Sequence, residues 1–220
     1  DLHSFPTRRS SDLNRSSLQA ANVVTAPALG ATASSLPVPT LLGEFELTGV
    51  LGEGGFSVVY LAIDHSLDRT VAIKEYMPSA IAVRQPDGSV VPRSPRHEDT
   101  FKAGLTNFIN EARLLARFNH PALIHIHRVW EQHGTAYMVM QYCFGRTLRQ
   151  VAQAEPELVR REAWLKTAFT PILDALELLH AQSCFHRDIS PDNILILQNG
   201  APVLLDLTVQ IGRASCRERV

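Results

Sequence analysis

The sequence predicts an α+β protein whose antiparallel, β-rich first part is followed by a more helical second part. Three observations predict this class. Runs rich in β-branched and aromatic residues, FELTGVL, SVVYLAID and TVAIKEY, follow one another from residue 45 to residue 76, with Gly, Asp or His-Ser between them. Apolar residues then recur at helical spacing in FINEARLLARF and again in EAWLKTAFTPILDALELLHAQ. Two more predicted strands, LIHIHRVWEQ and TAYMVMQYC, separate the two helices.

Composition limits the class of protein. With 220 residues, 45% of them hydrophobic and 20% charged, the chain can bury a real core. A net charge of -1 gives no basic field for nucleic acid or an anionic membrane, and no apolar run is long enough to cross a bilayer. Cys143, Cys184 and Cys216 lack disulfide-like spacing, which indicates a reducing compartment. We therefore expect a cytoplasmic protein; oligomeric state and a membrane anchor outside this chain stay open.

Two segments outside the predicted sheet have their own composition. Residues 14–42 are rich in Ser, Ala, Thr and Pro, so we expect a flexible linker with order beginning near Phe45. Between the third strand and the first helix, at about residues 76–100, a Pro-Asp-Gly-Ser turn lies between AIAVRQ and VVPR. This pattern predicts a small hairpin insertion.

The second helix, residues 162–182, is predicted from an apolar stripe. Pro171 falls inside it and is expected to kink it. The stripe consists of Leu165, Phe169, Ile172, Leu173, Leu176 and Leu179.

The first stretch that carries chemistry is GEGGFSVVY, where Gly52, Gly54 and Gly55 cluster at a strand–turn–strand. Such a turn lets backbone N–H groups approach phosphate oxygens without Cβ clashes, although a purely structural turn is the commoner use. The VAIK run follows and ends at Lys74, whose ammonium can bind phosphate if a carboxylate holds it. Glu111, on the first helix, is the candidate carboxylate.

The decisive stretch is FHRDISPDNILI. A rigid turn there would present Asp188 as the acceptor for a hydroxyl proton and Asn193 as an oxygen ligand for Mg²⁺. Asp206, at the end of an apolar run, would supply a second hard oxygen ligand.

These motifs, in this order, resemble the catalytic domain of a protein kinase, most closely the eukaryotic-like serine/threonine kinases of bacteria. The resemblance covers about residues 45–206. It implies a bilobal fold, with an N-lobe and hinge at 43–143 and a partial helical C-lobe at 144–210. It also implies ATP and Mg²⁺ as cofactors and a protein substrate phosphorylated on Ser or Thr hydroxyls.

The resemblance also implies roles for individual residues. Lys74 would bind the phosphates and pair with Glu111, Asp188 would orient the acceptor hydroxyl, and Asn193 and Asp206 would hold magnesium. Met140 resembles the gatekeeper. The ATP-binding set implied is Leu51, Gly52, Glu53, Gly54, Gly55, Phe56, Ser57, Val59, Ala72, Lys74, Met140, the hinge residues Gln141, Tyr142 and Cys143, and Leu195.

Two departures leave alternatives open. Ser190 stands where such kinases usually place a lysine near the γ-phosphate, and Leu207-Thr208 replaces the expected Phe-Gly. These favour a pseudokinase or nucleotide-binding regulatory module. A small-molecule kinase of related fold is a second alternative, against which the full glycine loop and HRDISPDN argue.

The two ends are related at the codon level. Ile211 as ATC is the reverse complement of Asp12 as GAT, and the relation continues to Val220 as GTG against His3 as CAC. We expect residues 1–13 and 211–220 to be non-native, adapter-derived sequence around a kinase domain truncated after Asp206. The truncated chain is expected to be inactive and to expose the apolar face of helix 162–182.

Overall fold

The computed structural model describes residues 34–205 and the backbone of residues 210 and 211. Its first part is a six-stranded antiparallel sheet with strand order β1-β2-β3-β4-β8-β7. The three predicted strands before residue 77 are confirmed, and burial alternates along β3 as expected for a sheet with one face on a core. The strands are β1 (Thr40–Leu42), β2 (Phe45–Glu53), β3 (Ser57–Asp64), β4 (Arg69–Tyr76), β7 (Ile126–Gln132) and β8 (Thr135–Gln141).

The sheet curls until the beginning of β2 meets the edge strand β7. The rings of Phe45 and Trp130 stack with centroids 5.7 Å apart, and Trp130 stacks in turn on Tyr137 of β8 at 5.3 Å. The Arg128 guanidinium lies 5.2 Å from the Trp130 centroid and pairs with Glu44. Curling encloses a core of buried side chains contributed by every long strand.

The predicted hairpin insertion is confirmed. Strands β5 (Ala82–Arg84) and β6 (Val90–Pro92) pair antiparallel around the Pro-Asp-Gly-Ser turn. The Asp87 carboxylate accepts hydrogen bonds from the backbone N–H and hydroxyl of Ser89, at 2.9 and 2.7 Å. Ala82 and Val90 are buried, so the insertion packs on the lobe and is part of its core.

The first helix, α1 (Glu98–Leu115), begins well before the periodic run at Phe108 that predicted it. A short 3-10 turn, Pro95–His97, precedes it, and two acidic residues in its first turn favour the start of a helix. Between Glu98 and Phe108 only Phe101 is buried, which is why periodicity gave little signal there. Its buried side chains are Phe101, Phe108, Ile109, Ala112 and Leu115.

The second part contains two helices and two small sheets. The hydroxyl of Thr147 and the side chain of Gln150 form a reciprocal cap at the start of α2. Strands β9, β11 and β12 form a sheet in the order β12-β11-β9, and β10 pairs with β13. The elements are β9 (Gly145–Thr147), α2 (Leu148–Ala154), α3 (Glu162–Ala181), β10 (Cys184–Phe185), β11 (Ile194–Leu197), β12 (Pro202–Leu204) and β13 (Gln210–Ile211).

The predicted second helix is confirmed as α3, and Pro171 lies inside it. Ile172 and Leu179 of the predicted stripe are buried. Leu173, in the same stripe, is 61% exposed and lies next to the buried line 168, 172, 175 and 179, so part of the apolar face of α3 is exposed, as expected. Leu165 is 36% exposed.

The prediction of a flexible linker over residues 14–42 is wrong for its described end. Leu36 and Leu42 are buried, and β1 pairs with β2 in a regular antiparallel register. The Leu36 N–H also donates a hydrogen bond to the Tyr60 hydroxyl at 2.9 Å. Two apolar side chains in a Ser-, Ala- and Pro-rich stretch carry too little periodicity to reveal this docking. Residues 14–33 lie outside the described residues, as do the predicted adapter-derived segments except for the backbone of Ile211 in β13.

Candidate active site

The glycine-rich turn joins β2 to β3 above a cleft between the two parts of the chain. The Gly54 N–H donates to the Ser57 carbonyl at 2.9 Å, and the Met77 N–H donates to the Phe56 carbonyl at 2.9 Å. A Cβ placed on Gly52 or Gly55 would meet no atom within 4 Å. The turn is therefore fixed by its own backbone while the space around its glycines stays open.

Beneath the turn lies a cavity of about 560 Å³, which we call the first cavity. It receives side chains from the turn, from β4, from α1, from β8 and from the loop after β10. The predicted site residues in its lining are Gly52, Glu53, Gly54, Ser57, Val59, Lys74, Glu111, Met140 and Asn193. Residues that are far apart in the sequence are thus brought to one cleft.

Lys74 and Glu111 enter the first cavity from two different elements. Lys74 lies opposite Val59 of β3 and Met138 of β8 in the sheet register, and Glu111 lies in the last two turns of α1. Both residues are half-buried. Strand alternation sends the next side chain, Glu75, to the opposite face, where it is fully buried.

A second cavity of about 560 Å³ adjoins the first on the side of α1. The two share Gly54, Ser57, Lys74 and Glu111. The predicted residues Gly55, Phe56 and Asp188 line the second cavity and not the first. Asp188 therefore shares the second cavity with Lys74 and Glu111.

Six predicted ATP-binding residues do not line either cavity. Ala72 is paired with Met140 in the sheet register, and the Gln141 N–H donates to the carbonyl of His125 at 2.9 Å. Burial raises the pKa of the Cys143 thiol above its ordinary value, which favours packing over reactivity. These residues are Leu51, Ala72, Gln141, Tyr142, Cys143 and Leu195.

The loop after β10 is organised around His186, which is 1% exposed. Its Nε2 lies 3.3 Å from the Leu205 carbonyl, and its Nδ1 lies 3.3 Å from the Asp188 N–H. A carbonyl oxygen only accepts and an N–H only donates, so the two contacts together place the imidazole proton on Nε2. The ring joins the loop to β12. Arg187, between these two residues, has a left-handed φ of 64°.

Asp188 and Asn193 are held together across the loop. The Asn193 Nδ2 donates to the Asp188 Oδ2 at 2.8 Å and to the Asp188 carbonyl at 3.0 Å. The Asn193 N–H donates to the Ser190 carbonyl at 3.0 Å, which closes the turn between them. Both donor contacts use the amide nitrogen, so the amide oxygen of Asn193 is left for another partner.

Asp192 also lines the first cavity, and α2 holds it in place. Arg149 donates to its two carboxylate oxygens, from Nε at 2.7 Å and from Nη2 at 2.8 Å, and the Arg149 N–H donates to the Pro191 carbonyl at 3.1 Å. The hydrogen bond from Arg149 lowers the pKa of Asp192 below its ordinary value. The carboxylate next to Asn193 thus remains ionised at neutral pH, with its charge matched by a guanidinium.

Asp206, the second predicted metal ligand, lies outside the described residues. Leu205, directly before it, lines the first cavity and donates its N–H to the Asn193 carbonyl at 2.7 Å. Within residues 34–205, no group of three His, Cys, Asp or Glu side chains could hold a metal ion. Of the predicted metal pair, only Asn193 can be located in the cleft.

Sequence reasoning missed six residues of the first cavity. Met138 could have been found from strand alternation with Met140, and Leu115 from its place one helical turn after Glu111. Ile126 is the first residue of β7, and the other three come from loops whose position depends on the packing of the two parts. The six are Leu115, Ile124, Ile126, Met138, Asp192 and Leu205.

A family model described as "Protein kinase domain" matches residues 45–211. This chain belongs to the protein kinase domain family. The kinase-like bilobal α+β fold predicted from the motifs is confirmed. A solved structure titled "PpkA-294 apo form" superposes with a TM-score of 0.75 and 49% sequence identity over 79% of this chain and 62% of that chain.

Several relatives of this kinase domain are named serine/threonine-protein kinases. The chain is 29% identical to the "Probable serine/threonine-protein kinase PknB" of Bifidobacterium longum, over 80% of this chain and 24% of that protein. It is 30% identical to the "Serine/threonine-protein kinase PknD" of Chlamydia muridarum, over 74% of this chain and 16% of that protein. The chain therefore spans a quarter or less of the length of these relatives. Among the helices of the described part, none is long and apolar enough to cross a membrane.

Proposed function

We propose that this domain transfers the terminal phosphoryl group of ATP to Ser or Thr hydroxyls of protein substrates. The observation that carries the proposal is the convergence of the glycine turn, Lys74, Glu111 and Asn193 on one cavity, with Asp188 on the adjoining wall. The names of the relatives support the protein substrate over a small-molecule acceptor. A cytoplasmic location remains a prediction.

The chain's own residues would act mainly by placement and charge. The open glycine turn offers backbone N–H groups to phosphate oxygens, and Lys74 offers a cation on the same wall. Asp188 would orient the acceptor hydroxyl and take its proton at a carboxylate oxygen. Its contact with Asn193 uses Oδ2, so Oδ1 is the oxygen we assign to the acceptor.

Asn193 offers an oxygen ligand of the kind that suits magnesium. Mg²⁺ prefers hard oxygen ligands, and the Asn193 amide is turned so that its nitrogen bonds Asp188 and its oxygen is left for a ligand. Asn193 and, beyond the described residues, Asp206 would hold the ion. When bound, it would neutralise charge on the phosphate oxygens.

One observation favours a pseudokinase instead. Ser190 supplies no cation at the position where the resemblance expects a lysine, so the transferred phosphoryl group would lose one stabilising charge. A nucleotide-binding module without transfer activity would keep Lys74 and the metal ligands in use. The two functions differ in phosphate transfer and not in nucleotide binding.

The test is a titration of Mg·ATP into the purified chain, combined with a transfer assay on the longer gene product. Lys74→Met should weaken nucleotide binding by at least about tenfold, since it removes a charged contact to phosphate. Lys102→Met is the matched control, because Lys102 lies on α1 with its side chain 70% exposed and outside both cavities.

Asp188→Asn separates binding from chemistry. We expect unchanged nucleotide affinity and a transfer rate lower by about 10²–10⁴-fold in the longer protein. Binding without transfer in the unsubstituted longer protein would support the pseudokinase. Equal affinity of Lys74→Met and Lys102→Met would refute the proposed site. The expected inactivity of the 220-residue chain alone stays a prediction, tested by the same transfer assay.

A further inference from the structure

One attachment of the hairpin insertion to the sheet is a buried guanidinium, that of Arg84. Its side chain is 6% exposed, and Nη2 donates to Glu75 Oε2 at 2.5 Å. Nε and Nη2 donate to the Ser34 carbonyl at 2.9 and 2.7 Å, and Nη1 donates to the Gly88 carbonyl at 2.9 Å. Arg84 therefore ties together β4, the hairpin turn and the segment before β1.

The partner of Arg84 is the residue directly after Lys74. Glu75 is fully buried, and the Tyr60 hydroxyl donates to the same carboxylate oxygen at 2.7 Å. Because strand side chains alternate, this ion pair holds the strand from the face opposite to the first cavity. The backbone that carries Lys74 is thus held by contacts on the opposite face of the sheet.

A second attachment joins the hairpin to the turn between β7 and β8. The Val90 N–H donates to the His133 carbonyl at 2.8 Å. A Cβ on Gly134, whose φ is 70°, would lie 2.6 Å from the Val90 carbonyl oxygen. The Thr135 hydroxyl donates to the Tyr76 carbonyl, so the end of β4 is held at the same point.

Tyr76, the last residue of β4, packs against α1. Its ring lies 5.3 Å from that of Phe101 and 5.8 Å from that of Phe108, and its hydroxyl donates to the Phe101 carbonyl at 3.3 Å. A Cβ on Gly104 would lie 2.1 Å from the Tyr76 hydroxyl oxygen, so the ring packs directly on the helix backbone. Glu111 follows Phe108 by one turn of the same helix.

We infer that Arg84 is a positioning residue for the nucleotide site. By pairing with Glu75 it fixes the end of β4, and through Tyr76 it fixes the position of α1, so that Lys74 and Glu111 face the same cavity. Through the insertion, contacts within the N-lobe fix the position of α1. The expected effect on nucleotide binding rests on the proposed function, but the effect of Arg84 on the position of α1 can be measured without nucleotide.

The experiment compares Arg84→Gln with Arg128→Gln in the full 220-residue chain by amide hydrogen exchange and by titration with Mg·ATP. Arg128 is the matched control, since it also pairs with a glutamate but at a half-exposed site on the edge strand β7. Arg84→Gln should raise exchange across residues 98–115 by about tenfold or more and leave α3 unchanged. It should also weaken nucleotide binding by about fivefold. Arg128→Gln should do neither.

A second variant covers the case in which Arg84→Gln does not fold. Gly104→Ala displaces the Tyr76 ring without touching the ion pair, and it should raise α1 exchange in the same way; nucleotide binding is not compared for this variant, because Gly104 itself lines the second cavity. Unchanged α1 exchange in either folded variant overturns the inference. Absence of nucleotide binding by the unsubstituted chain would instead overturn the proposed function, while the exchange data would still decide the inference.

Discussion

The buried pair of Arg84 and Glu75 should show strong energetic coupling in a double-mutant cycle. Arg84→Met leaves a fully buried carboxylate that keeps the hydrogen bond from the Tyr60 hydroxyl, and removal of one partner of a buried pair costs about 3–5 kcal/mol. Glu75→Gln leaves the guanidinium without its counter-charge at a cost of the same order. If the two sites were independent, the double variant would lose about 6–10 kcal/mol, comparable to the whole stability of a domain.

The double variant Glu75→Gln with Arg84→Met should be far more stable than that sum. Glutamine keeps an acceptor for Tyr60 and no charge remains buried, so the remaining loss is that of the hydrogen bonds from Arg84 to the Ser34 and Gly88 carbonyls, about 1–3 kcal/mol. Equilibrium urea unfolding of the chain and its three variants measures each free energy. An additive double variant would refute the reasoning that the pair acts as one unit.

Two further predictions concern stability. Gly134→Ala should lower the melting temperature more than Gly200→Ala in thermal unfolding, because both have positive φ but only at Gly134 does the new Cβ meet the Val90 carbonyl; equal shifts would contradict the clash. Burial opposes ionisation of Asp64, but hydrogen bonds led by that from the Ser66 hydroxyl lower its pKa below the ordinary 3.8. A carboxyl whose pKa is lower in the folded than in the unfolded chain stabilises the fold above its unfolded pKa and loses this contribution as pH falls. The free energy of unfolding of the unsubstituted chain should therefore exceed that of Asp64→Asn at neutral pH, and the difference should shrink as pH falls below 3.8. A difference in unfolding free energy that does not change with pH would argue against this.

The class of the fold and the family could both be predicted from the sequence. Local periodicity and turn chemistry predict the strand runs at 45–76, the hairpin turn at Asp87 and Ser89, and the helix containing Pro171. The structure agrees with each of these predictions. The ordered motifs from Gly52 to Asn193 indicated a protein kinase domain, which the family comparison confirms. Local signals suffice here because each is read within about ten residues.

How these motifs are held in place could not be predicted from the sequence and follows from contacts in the folded chain. Nothing local marks Arg84 as the partner of Glu75, docks Leu36 on the core, or directs Asp188 and Asn193 to different cavities. Each of these depends on contacts between residues remote in sequence, formed when the sheet curls and the insertion packs against it. A buried guanidinium and a solvated one look the same in a sequence, since burial is a property of what surrounds a residue in space.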